Sequence, residues 1–205
     1  MKVYTIGITG RFGSGKTMIA NILQEKGSFL LIVDEIAHDL YKNGTHCWSE
    51  IVQYFGKSIL TKSGEIERNR LGKIVFSDKK KLAKLNSVMF PALKKRVVEL
   101  HGFQVNKSEI IVIDCALLFE LKLDVLTDEI WVPYVTDSIL VQRLKNKLIY
   151  SEKNIHERLS VQMLFENIVN KCQVVIDNNT TAIQLKKNIE CLWYSRILAK
   201  LNRSS

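Results

Sequence analysis

An α/β fold, built as a parallel sheet flanked by helices and carrying a helical insertion and a lid, is predicted by three features of the 205-residue sequence. Short β-rich apolar runs alternate with helical segments, the rhythm of parallel strands joined by crossover helices. A glycine-rich GxxxxGK[ST] stretch falls directly between the first such run and the first helix. About 70 residues of mainly helical character separate the second run from the third, far more than one βαβ crossover needs.

Residues 3–9 form the first β-rich run and open into the glycine loop. Residues 16–26 are amphipathic, with Ile19, Ile22 and Leu23 on one face. Residues 29–33 are short and apolar enough to be a strand buried on both faces. The runs EIIVID (109–114), EIWVPYV (129–135) and CQVVID (172–177) read the same way, with Pro133 marking the end of its strand because proline interrupts a ladder. Residues 36–107 are the helical insertion. A helix starts near Asp137, and the polar stretch 145–162 after it reads as a lid, with a new helix beginning around Ser151, Lys153 and Asn154. Large apolar anchors are few there (Leu148, Ile149, Tyr150, Ile155, Leu159), so little burial holds that segment shut without ligand. Residues 180–201, apolar at Ile183, Leu185, Ile189, Leu192 and Ile197, should be a C-terminal helix packed on the sheet. The nucleotide-binding core is then 1–35, 108–144 and 163–205.

Composition supports one sizeable core: 46% of residues are hydrophobic and 25% charged. With 10 Gly and 2 Pro, a collagen-like or low-complexity chain is excluded, and no fixed-period repeat suggests a solenoid. The longest apolar runs, such as Phe29 to Val33 and Ala116 to Phe119, fall far short of the ~20 residues of a membrane span. No secretory pattern precedes the glycine loop, so a soluble, cytoplasmic protein is expected. Cys47, Cys115, Cys172 and Cys191 are scattered without zinc-ligand spacing and read as reduced thiols. His38, His46, His101 and His156 form no cluster. The net charge of +9 suits a polyanionic partner, either nucleic acid or a nucleotide with several phosphates. Lysines spread as in Lys79-Lys80-Lys81 equally suit solvated helix faces.

The chemistry concentrates in Gly10-Arg11-Phe12-Gly13-Ser14-Gly15-Lys16-Thr17. Glycines let such a loop curl so that backbone N–H groups point at phosphate oxygens, and the following helix adds its N-terminal dipole. Lys16 then reaches the β and γ phosphates of a nucleoside triphosphate, while the Thr17 hydroxyl holds Mg²⁺. Asp34 follows the second strand, at the carboxyl edge where open sheets bind ligands; it is either a general base for an attacking hydroxyl or a helix cap. Asp114 ends the third strand, where it is either the second acid near Mg²⁺ or likewise a cap. Arg143, Lys147 and Arg158 either close over the spreading charge of a transferring phosphoryl group or make ordinary surface ion pairs.

The segments GITGRFGSGKT, LIVDEIAHDLY, NGT..W.EIVQYFG, GEIERNRLGKIVFSD, DCALLFE, QRLKN...S....ERLSVQM and VVIDNN, in this order, resemble the dephospho-coenzyme A kinase family across nearly the whole chain. The resemblance implies a P-loop kinase core with a helical CoA-binding subdomain and a lid. It also implies transfer of phosphate from ATP to the ribose 3′-hydroxyl of dephospho-CoA, giving CoA and ADP. By that resemblance Asp34 is the catalytic aspartate, acting with Lys16 and Arg143. Asp34, Arg68 and Asp114 lie on the substrate side, Lys147 and Arg158 in the lid, and Asn178 in the loop that contacts adenine. ATP and dephospho-CoA are the implied partners, with Mg²⁺ as cofactor and neither a membrane nor a specific nucleic acid among them.

The chain departs from the family pattern at several places. Arg11 replaces a usual glycine and crowds the loop entrance. Ile32-Val33-Asp34 stands for DAD, which loses the first acid but keeps the second. Phe90-Pro91-Ala92 stands for HPA and removes a polar contact near the acceptor. Ala116 replaces a proline, Glu67 precedes Arg68, and Lys147 stands where many relatives carry Arg, without the bidentate fork a guanidinium offers phosphate. Two other readings use the same residues: a different P-loop nucleoside or nucleotide kinase, recognised by its acceptor, and a nucleotide-binding protein without transfer activity.

Overall fold

A computed structural model describes residues 3–146 and 165–201. Five parallel strands form one sheet: β1 (Tyr4–Ile8), β2 (Phe29–Ile32), β3 (Ile110–Asp114), β4 (Glu129–Tyr134) and β5 (Val174–Asp177), in the order β2-β3-β1-β4-β5. The chain divides into two compact units, residues 1–32 with 99–205, and residues 33–98. The boundary at Val98 falls inside a long helix, whereas the sequence reading puts it after that helix, at 107.

In the sheet unit, Ile6, Ile8, Val112, Trp131 and Ile176 alternate onto one face. There they meet α1 (Lys16–Glu25) through Ile19, Ala20, Ile22 and Leu23, and the C-terminal helix Ala182–Leu192 through Leu185 and Ile189. On the other face the missing Cβ of Gly7 lets Leu118 pack directly against β1; a Cβ there would lie 2.9 Å from Leu118 Cδ2. Central β3 is buried at every position, as expected of a strand covered on both faces. The edge strands differ from that expectation. Phe29 in β2 and Val175 in β5 are exposed, because an edge position leaves one flank of the sheet without a neighbouring strand. Pro133 is tolerated inside β4 because the pairing with β1 ends at Trp131, so no N–H is owed to β1 at its position. Ile183 is 73% exposed and does not belong to the packed face of the last helix. That helix also does not continue as a regular α-helix to Leu201: residues Trp193–Leu198 form a π-helical turn that brings Trp193 and Ile197 inward.

At the amino-terminal end of β4 the carboxylate of Glu129, 2% exposed, accepts from Trp131 Nε1 at 3.0 Å and from Arg196 Nη2 at 2.7 Å, and it pairs with Lys200. Burial alone pushes this carboxyl up; the Arg196, Lys200 and Trp131 hydrogen bonds overcome it and hold it at about 2. A depressed acid contributes stability that is complete above its unfolded value near 4.5 and is lost as pH falls toward 2. Glu129→Gln is therefore expected to destabilise the protein at pH 7 and to flatten the loss of stability between pH 4.5 and 2 in denaturant titrations. An unchanged acid limb would show that other carboxylates set it.

The second unit is helical: α2 (Val33–Leu40), α3 (His46–Phe55), α4 (Arg68–Phe76) and α5 (Lys79–Gln104), whose last residues belong to the sheet unit. Thr45 caps α3 by accepting from Trp48 N at 3.1 Å, and Asp78 caps α5 by accepting from Lys80 N at 2.9 Å. Cys47, Ile51, Ile59, Leu71, Val75, Leu85 and Met89 form its core. No helix among the described residues is long and apolar enough to cross a membrane.

Candidate active site

β1 runs straight into the glycine loop, and three of its glycines take a backbone that side chains disfavour: Gly10 at φ 138°, Gly13 at 82° and Gly15 at 99°. The loop closes on itself through Ser14 N donating to Arg11 O at 3.1 Å, while Lys16 Nζ curls back to the same carbonyl at 3.2 Å. Gly15 precedes the first turn of α1, whose leading N–H groups have no intrahelical acceptors and carry the positive end of the helix dipole. The Ser14 hydroxyl is buried and has no hydrogen-bond partner among the described residues. Backbone donors at a helix start beside an ammonium group suit a polyphosphate.

The neighbouring strand supplies an acid. β1 and β3 are in register so that Ile8 opposes Asp114, which places the Asp114 carboxylate at the carboxyl edge beside the loop. Thr17 Oγ1 donates to Asp114 Oδ2 at 2.7 Å, and Asp114 is 5% exposed. Asp114 is thus engaged with the threonine of the glycine motif. These hard oxygens fit Mg²⁺, which takes one or two protein oxygens and keeps phosphates and waters for the rest.

Helix α6 (Asp137–Asn146) backs the loop. Arg11 forms an ion pair with Asp137 at its start, Phe12 packs against Val135, Leu140 and Leu144, and a Cβ on Gly13 would come within 2.8 Å of Leu144. Arg143 Nη2 donates to Asn178 O at 2.9 Å, and Asn178 Nδ2 donates to Ser14 O at 2.7 Å. The next residue turns elsewhere: Asn179 Oδ1 accepts from Thr136 N and its amide donates to Asp177.

The structure therefore gathers Gly10 to Thr17, Asp114, Arg143 and Asn178 in one unit. Asp34 and Arg68 belong to the helical unit. Asp34 is exposed in the first turn of α2, which begins at Val33 with no loop after β2, so Asp34 is two residues beyond the strand. Arg68 opens α4, with its guanidinium 6.0 Å from the centre of the Tyr41 ring; burial pushes the Tyr41 hydroxyl up to about 12, against the opposing charge of Arg68. Lys147 and Arg158, with most of the expected lid, lie outside the described residues. Sequence reasoning missed Asp137 as the partner of Arg11. The only local signal is an acid in the first turn of a helix, which points to the helix dipole rather than to a residue 126 positions away.

Gly15→Ala tests how closely the loop is built. A Cβ there would overlap Asn178 Nδ2, on a backbone with φ 99°. ATP affinity is expected to fall by at least about tenfold. Gly27→Ala, at φ 102° but with nothing within 4 Å, should cost stability and leave ATP affinity unchanged. Equal ATP affinity in the Gly15 variant and wild type would remove this position from the site.

A protein-family model described as dephospho-CoA kinase matches residues 4–184. A dephospho-CoA kinase of Carboxydothermus hydrogenoformans is 38% identical over 188 residues, covering 90% of each chain. In fold the chain is similar to a Thermus thermophilus protein, with a TM-score of 0.77 and 22% identity over 96% of this chain and 99% of that one. It is also similar to a dephospho-CoA kinase of Campylobacter jejuni, with a TM-score of 0.69 and 22% identity over 97% and 98%.

Proposed function

The chain belongs to the dephospho-coenzyme A kinase family, kinases that transfer phosphate to a hydroxyl group, and from that premise we propose that ATP held at the glycine loop phosphorylates the ribose 3′-hydroxyl of dephospho-CoA. The products are CoA and ADP, which makes this the last step of coenzyme A synthesis.

The observation that carries the reading is the junction of loop and acid: Lys16 Nζ curled back onto the glycine loop at Arg11 O, with Thr17 hydrogen-bonded to Asp114. Loop N–H groups and Lys16 hold the β and γ oxygens of ATP, and the buried Ser14 hydroxyl offers one further polar group. Thr17 and Asp114 would hold Mg²⁺, which when bound neutralises charge on those oxygens. Asp34 takes or directs the proton of the 3′-hydroxyl as it attacks. The helical unit, residues 33–98, carries the acceptor side, with Arg68 as a cation for its phosphates. Arg143 fixes the nucleotide end of the site, and residues 145–162 form a lid bringing Lys147 and Arg158 over the phosphates. Excluding water there would suppress wasteful hydrolysis of ATP. A cytoplasmic location fits an enzyme with these two substrates.

Incubation with ATP, Mg²⁺ and a panel of dephospho-CoA, adenosine, AMP, CMP and pantothenate, with products resolved by mass, tests the reading. Dephospho-CoA alone should gain one phosphate. Phosphorylation of another acceptor in its place, or of none, would overturn it.

A further inference from the structure

We infer that Asn178 is a positioning residue for the phosphate loop, whose contribution to ATP binding is made through the phosphates and not through the base. The inference rests on the reading that ATP phosphates occupy that loop.

Asn178 follows β5 and is 3% exposed, so its amide is committed to protein partners rather than offered to solvent. Its main chain is fixed on both sides: the N–H donates to Tyr134 O at 2.9 Å, and the carbonyl accepts from Arg143 Nη2 at 2.9 Å. With the backbone held, the side-chain amide reaches across 164 positions of sequence to donate to Ser14 O at 2.7 Å. It also fills the space over Gly15 so closely that no Cβ fits there.

This contact sets the direction of a donor. The peptide between Ser14 and Gly15 is trans and planar, so its C=O and N–H point to opposite sides. Holding Ser14 O on Asn178 therefore turns the Gly15 N–H away from Asn178, the side on which the inference puts the phosphates. The Ser14 N–H cannot substitute, since it is spent on Arg11 O. Asn178 thereby orients one of the cradle's donors before any phosphate arrives, and preorganised donors gain affinity because no rearrangement is needed on binding. Arg143 acts behind it as its anchor. The adjacent Asn179, turned toward Thr136 and Asp177, does not duplicate the contact.

A base contact and a loop-positioning contact predict different ligand dependences. Binding of ATP, inorganic tripolyphosphate and adenosine is measured for wild type, Asn178→Ala and the isosteric Asn178→Asp, which sets an oxygen against Ser14 O; steady-state KM is measured for both substrates. Loop positioning requires ATP and tripolyphosphate affinities to fall together by at least about tenfold, with the KM for ATP rising and that for dephospho-CoA unchanged. An unchanged tripolyphosphate affinity, or equal rises in both KM values, would overturn the proposal. If neither variant folds, the wild-type protein decides. The Asn178 side-chain amide resonances should shift on addition of tripolyphosphate and stay in place with adenosine, and the reverse pattern overturns the inference. Wild type that binds neither ATP nor tripolyphosphate would instead overturn the ATP reading itself.

Discussion

Replacing Lys16 with alanine is expected to lower turnover of dephospho-CoA by at least about 10³-fold, the largest single effect in the molecule. Phosphoryl transfer asks little covalent work of the protein, so its rate depends on cations placed where charge spreads over the β and γ oxygens. Lys16 is the ammonium folded over the loop, with its Nζ 3.2 Å from Arg11 O, and that carbonyl also closes the loop through Ser14 N. The fold should survive the substitution, because Lys16 opens α1 on its polar side while Ile19, Ala20, Ile22 and Leu23 carry the packing. Single-turnover rates at saturating ATP, with the thermal midpoint as control, check this. Near-normal turnover by a folded variant would remove Lys16 from the mechanism.

Asp34→Asn is expected to reduce the single-turnover rate by roughly 10²–10⁴-fold while leaving ATP affinity within about twofold of wild type. Asparagine keeps the size of the side chain and removes its capacity to take a proton from the attacking hydroxyl. Asp34 is exposed in the first turn of α2, so stability should change by no more than about 0.5 kcal/mol. ATP affinity that collapses while the bound complex reacts at the normal rate would reassign Asp34 to metal binding or structure. The two variants separate nucleotide handling from acceptor activation. Loss of rate in both with loss of ATP affinity only in Lys16→Ala is the pattern expected of a kinase.

Much of the site was legible in the sequence because its chemistry is local. The eight residues Gly10 to Thr17 encode loop, ammonium and hydroxyl within one strand–loop–helix unit, and spacing alone specifies the curl, since positive φ at Gly10, Gly13 and Gly15 is what glycine permits cheaply. Alternating apolar runs likewise identified five strands near their observed limits, and the long polar-apolar stretch between the second and third strands announced a helical unit. Asp114 could be placed beside Mg²⁺ only as one of two options, because its partner Thr17 lies 97 positions away. The register that sets Ile8 opposite Asp114 is what brings the two side chains together.

Tertiary structure decided everything that depends on which strands are neighbours. An apolar run says that a strand is buried but not whether it sits at the edge, so Phe29 and Val175 were expected inside and are exposed. Ile183 counts among the apolar positions of the last helix, yet it is exposed, because two residues before Leu185 it lies on the far side of that helix. Glu129 is merely the first residue of the EIWVPYV run in the sequence, and only the return of the C-terminal segment, with Arg196 and Lys200, makes it a buried, ionised anchor. Arg11 read as a substitution that crowds the loop, whereas α6 supplies Asp137 to hold it. Asn178 read only as part of a loop on the adenine side, and its amide reaches the glycine loop because Tyr134 and Arg143 fix the backbone that aims it. The physical reason is common to these cases: a sequence fixes torsional preferences and apolar periods over a few residues. The direction of a hydrogen bond between Ser14 and a residue 164 positions later is fixed only by the strand order that folds one chain end over the other.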